Sequence, residues 1–96
     1  MNKSEAQNIL DKELSHFRDM RYEELQNLMG FPKVTERKGP SGVSYTIEIE
    51  VFWDNPKKVG GDLRVIGSID DGNFFSSLRP LSSDFIIGPD GTFIGE

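Results

Sequence analysis

Glu48 and Glu50 are two positions apart in a strictly alternating run, so on an extended strand their carboxylates share one face about 7 Å apart. Pairs of acids at such spacing hydrolyse glycosides. Ion pairing on a solvated sheet face is the simpler reading, with Lys33 and Arg64 as partners. Asp54, Asp62, Asp70, Asp71, Asn73 and Asp84 carry oxygen donors suited to calcium or magnesium. The run Asp70-Asp71-Gly72-Asn73 lacks the alternating acids and closing glutamate of a calcium loop. Asp and Gly at a hairpin tip serve the backbone. His16 is the single histidine, cysteine is absent, and no Gly-x-Ser-x-Gly elbow accompanies them, which leaves a nucleophile–base pair without support. Gly60-Gly61 lacks the lysine and following helix of a phosphate loop. No catalytic, cofactor-binding or metal-binding set is assigned.

The elements that must position these groups begin with Val43–Asp54. Val43, Tyr45, Ile47, Ile49, Val51 and Trp53 alternate with Ser44, Thr46, Glu48, Glu50 and Phe52, the period of one long strand. Before it, Ala6, Leu10, Leu14 and Phe17 recur at helical spacing behind Ser4 as a candidate N-cap, predicting a helix to about Arg18. Continuing that stripe would bury Arg21, so the helix breaks near Asp19–Arg21. A second short helix over Tyr22–Met29 ends at Gly30 and Pro32. Both helices are expected on one face of a sheet.

Pairing outward from the Gly39-Pro40-Ser41-Gly42 turn puts Lys38 opposite Val43, Val34 opposite Ile47 and Lys33 opposite Glu48, with Lys33–Lys38 as a charged edge strand. Setting Trp53 against Leu63 aligns Val51 with Val65, Ile49 with Gly67 and Ile47 with Ile69, apolar against apolar. Gly67 then allows close approach of a bulky side chain from the helices. Asp71-Gly72 signals a hairpin pairing Ile69 with Phe74 and Val65 with Leu78. Leu81–Asp84 reads as loop, and Gly88-Pro89-Asp90-Gly91 turns between Phe85–Ile87 and Thr92–Ile94. The fold class is α+β: one or two N-terminal helices on one face of an antiparallel meander of four or five strands, in a single domain of 96 residues.

Composition narrows the function classes. A net charge of −5 argues against a phosphate-backbone binder. No run has the length of a transmembrane helix, and the start lacks the apolar segment of a signal peptide. The absence of cysteine fits a reducing, cytoplasmic setting.

The registers place Phe52, Ile66 and Phe75 together as an oblique apolar stripe on the face opposite the helices. Exposed and rimmed by charge, such a stripe marks an interaction site, with Arg64 and the strand-end Trp53 as further contact candidates. Against this stands a covering role for Phe85, Ile87 or Phe93, which otherwise lack a place. The expected function is a non-enzymatic protein-interaction module, of inhibitor or immunity type. The alternatives are a small-ligand or metal-binding protein or enzyme using the acidic loops Asp54–Asp62 or Asp70–Asn73, and a structural subunit of an oligomer.

Gly39-Pro40-Ser41-Gly42, the Val51-Phe52-Trp53-Asp54 strand end, Gly67-Ser68-Ile69-Asp70-Asp71-Gly72 and the closing Pro89-Asp90-Gly91-Thr92-Phe93-Ile94-Gly95-Glu96 together resemble a family of small uncharacterised bacterial proteins with a leading helix. The resemblance implies a bacterial cytosolic origin and an α+β fold. It implies no activity, and no catalytic residue follows from it.

Overall fold

Apolar residues at positions 6, 10, 14 and 17 give helix α1 (Lys3–Arg18) its single buried stripe of Ala6, Leu10, Leu14 and Phe17. The computed structural model describes residues 2–73 and 80–96. Asn2, not Ser4, caps α1: it is extended, and its Oδ1 accepts the Glu5 N–H at 3.0 Å, which puts Ser4 inside the first turn. The break falls at Asp19–Arg21 as expected. Helix α2 is shorter than predicted, Tyr22–Gln26, and tightens into turns that close at Gly30, whose φ of +83° ends them.

Five strands follow, β1 (Lys33–Lys38), β2 (Ser44–Trp53), β3 (Leu63–Asp70), β4 (Leu81–Ile87) and β5 (Phe93–Ile94), in one antiparallel sheet ordered β1-β2-β3-β4-β5. Both helices lie on one face, where Tyr45, Ile47, Ile49 and Val51 of β2 and Leu63, Val65 and Ile69 of β3 join the helical stripe in one core. Each fully buried side chain of this size stabilises by about 1.5–3 kcal/mol. The β2–β3 register is the expected one, from Trp53 opposite Leu63 to Ile47 opposite Ile69. Gly67 provides the anticipated close approach: a Cβ there would lie 2.9 Å from both Leu10 Cδ1 and Ile49 Cδ1.

Two registers differ from expectation. Lys38 pairs with Ser44, Val34 with Glu48 and Lys33 with Ile49, one residue off the predicted β1–β2 alignment. The cause is the turn. Gly42 adopts φ +89°, its N–H donates to the Gly39 carbonyl at 2.9 Å, and the Gly39 N–H donates to the Val43 carbonyl at 2.8 Å. This is a three-residue loop with a glycine bulge, which absorbs one residue and slips the pairing. Lys33 consequently lies on the helix side, and the expected Lys33–Glu48 charge pair does not form. The Gly88–Thr92 turn repeats the device with Gly91 at φ +85°.

The second correction concerns the neighbour of β3. Ile69 pairs with Leu81, Gly67 with Ser83 and Val65 with Phe85, so Leu81–Asp84, read as loop, extends the expected Phe85–Ile87 strand into β4, and β4 is the neighbour of β3. Asp70 Oδ1 does accept the Gly72 N–H at 2.9 Å in a local turn. The third strand placed over Asn73–Leu78 falls, beyond Asn73, outside the described residues, as does Phe75.

Candidate functional site

β4 gives Phe85 and Ile87 their place in the helix-side core, each only 3% exposed. Phe93 packs edge-on against Phe85, with ring centroids 5.7 Å apart, and the Arg18 guanidinium covers both rings. The expectation that these C-terminal residues cover the opposite sheet face is overturned: they serve the same core as the helices. No described helix packs on the other face.

That open face is built by the strand registers. Phe52, Arg64, Ile86 and Ile94 form one transverse row across β2, β3, β4 and β5. In the next row Ile66 lies between Glu50 and Asp84, diagonal to Phe52 and to Ile86. Phe52 is 38% exposed and Ile94 44%, with Ile66 and Ile86 half-buried. Of the expected contact residues, the structure brings Phe52, Arg64 and Ile66 together. Trp53 is on the helix side, half-buried against the edge of the core. Ile86 and Ile94 belong to the patch and were missed. The expected Phe85–Ile87 strand sets Ile86 on the face opposite Phe85 and Ile87, but its place beside Arg64 needs the β3–β4 register.

Arg64 crosses the patch and is held at both flanks. Its Nε is 2.9 Å and an Nη 2.7 Å from Asp54 Oδ1, and its other Nη meets the Asp84 carboxylate. These contacts, Asp54 first, push the guanidinium pKa up and keep it charged. Arg64 is therefore taken, and the predicted approach to Glu50 is not made. Glu48 and Glu50 stand side by side on this face of β2. The neighbouring Glu50 carboxyl first, and then desolvation, raise the Glu48 pKa above the ordinary carboxylate value. Beside them opens a shallow groove of about 240 Å³ lined by Glu48, Glu50, Phe52, Ile66 and Ser68.

The other candidates resolve into structural roles. Asp54 is bound to Arg64, and its N–H donates to the Asp62 carbonyl at 2.9 Å. Asp70 and Asp71 lie at the opposite end of β3 from Asp62 and accept the N–H groups of Gly72 and Asn73. Among the described residues no group of three or more His, Asp or Glu side chains is placed to hold a metal. His16 is exposed on α1 and lines a small hollow with Ile9, Lys12, Glu13 and Arg37, which contains no serine. A hollow of about 340 Å³ lies between Arg18, Tyr22 and Phe93, and Arg18 also forms an ion pair with Glu96. Among the described residues no helix is long and apolar enough to cross a membrane.

Protein-family models, curated proteins and solved structures were compared with the chain, and none matches it. The open face therefore has to be interpreted from its own chemistry.

Proposed function

We propose that the chain is a non-enzymatic protein-interaction module, of inhibitor or immunity type, that binds through the open face of its sheet. One observation carries the reading: the helices and the C-terminal hairpin serve a single core, leaving Phe52, Ile66, Ile86 and Ile94 together on the other face, framed by charge. Apolar groups grouped inside a charged rim are the usual anatomy of a contact surface. The acidic loops favour no ligand-binding alternative, since Asp54, Asp70 and Asp71 are engaged in holding the fold. A bacterial, cytoplasmic setting, implied by the resemblance and compatible with a cysteine-free chain, is part of the same proposal.

Co-purification from the producing cells tests it, using wild type, Phe52→Ser/Ile66→Ser and the helix-surface control Glu23→Gln. A partner retained by wild type and the control and lost by the double variant is the expected result. A partner retained equally by all three would dispose of the open face as the binding surface.

A further inference from the structure

The charges on the open face identify the kind of partner, an inference that rests on the interaction reading above. Across that face Glu36, Glu48, Glu50, Asp70 and Asp84 are set against Lys38 and Arg64. Arg64 is committed to Asp54 and Asp84, and Lys38 lies at the far end of β1, opposite Ser44. Glu48 and Glu50, placed directly beside Phe52 and Ile66 in the groove, form no ion pair with any described residue of the chain.

Docking over this groove takes both carboxylates out of water. Burying an unpaired charge is costly, and two adjacent like charges make it worse. A second copy presented face to face would bring the same excess of acids, and a nucleic acid would bring phosphates of the same sign. An aliphatic surface without charge would cover Phe52 and leave the carboxylates stranded. A segment that interleaves cationic and aliphatic side chains satisfies the groove and the patch together. We infer that the open face docks a lysine- or arginine-bearing aliphatic segment of another protein, with a cationic group seated at Glu48 and Glu50 and aliphatic groups on Phe52, Ile66 and Ile86.

A random peptide library selected on the immobilised full chain tests both layers of the argument. The enriched peptides are expected to interleave lysine or arginine with aliphatic residues. Synthesised singly, they should lose about tenfold in affinity on Glu48→Gln/Glu50→Gln and a similar factor on Phe52→Ser. Added salt should weaken them, and Glu23→Gln on α2 should leave them unchanged. All three positions, Glu48, Glu50 and Phe52, are exposed, and thermal melts check that the variants remain folded. Peptides that need Phe52 but are acidic or uncharged, or that ignore the double glutamate change, would overturn the basic partner while leaving the interaction surface standing. A library yielding no peptide sensitive to Phe52→Ser would overturn both. Sedimentation of the chain alone completes the test: a dimer dissolved by Phe52→Ser would assign the face to a second copy and overturn the inference.

Discussion

Glu48 and Glu50 stand side by side on the open face of β2, and the Glu50 carboxyl raises the Glu48 pKa. Between the unfolded and the higher folded pKa the folded chain holds a proton that the unfolded chain releases, and above both the two carboxylates repel. Stability from this group is fully present below the unfolded value near 4.5 and is lost as pH rises through the higher folded value. Glu48→Gln should accordingly raise the unfolding midpoint at pH 7, by a few degrees at most for so exposed a pair. The gain should vanish near pH 3, where both states of the wild type are protonated. Thermal melts at the two pH values check this, and a lower midpoint at pH 7 would contradict repulsion between the two side chains.

Glu5 should behave in the opposite sense. Its carboxylate accepts the Ser41 N–H at 3.0 Å, the Ser41 hydroxyl at 2.7 Å and the Tyr45 hydroxyl at 3.0 Å, tying the start of α1 to the β1–β2 turn. The Ser41 backbone bond is the main cause of a pKa below the ordinary carboxylate value. Its stability contribution is present above the unfolded value and is lost as pH falls through the lowered folded value. Glu5→Gln should lower the midpoint at pH 7, and the deficit should close in acid. Wild type and variant melting in parallel across this range would show that the Glu5 carboxylate does not hold the β1–β2 turn.

These two carboxylates also mark what was legible in the chain. The β2–β3 register could be read because apolar residues alternate on both strands, so that a one-residue slip would turn both rows outward. β1 offers no such restraint. Val34, its only large apolar residue, is exposed, and the bulge at Gly42 decides the alignment instead. The first half of β4 was hidden because Ser83 occupies a core-side position opposite Gly67, breaking the apolar row between Leu81 and Phe85. The local Asp71-Gly72 signal then took precedence over a strand that lies farther along the chain. Phe52 and Ile66 were placed correctly on the open face, since they depended only on β2 and β3. The charge pattern of that face was not legible, because it depended on the β1 slip and on the partners chosen by Arg64.

Gly67 offers a direct test of the helix–sheet contact. A Cβ would crowd Leu10 Cδ1 and Ile49 Cδ1 at 2.9 Å and Leu14 Cδ2 at 3.2 Å. These are side-chain tips, but they are tips within a packed core. Gly67→Ala should cost about 1 kcal/mol and Gly67→Val about 3 kcal/mol by overpacking. Urea denaturation measures both, and equal stability of the three proteins would show that α1 does not press on β3 at this point.

The Tyr22 hydroxyl donates to the Gly61 carbonyl at 2.7 Å in a buried contact, linking α2 to the loop that ends at β3. The same loop carries Asp54, one of the two carboxylates holding Arg64 on the open face. Tyr22→Phe preserves the ring but leaves the Gly61 carbonyl without its buried donor, at a cost of about 1–2 kcal/mol. The loss should be local as well as global. Amide exchange should accelerate at Asp54, whose N–H bonds the Asp62 carbonyl, by more than the fall in overall stability explains. Core amides such as those of Ile47 and Val65 should follow the global change alone. If Asp54 exchanges no faster than they do, the hydroxyl is not what holds this loop, and Arg64 owes its position to the sheet alone.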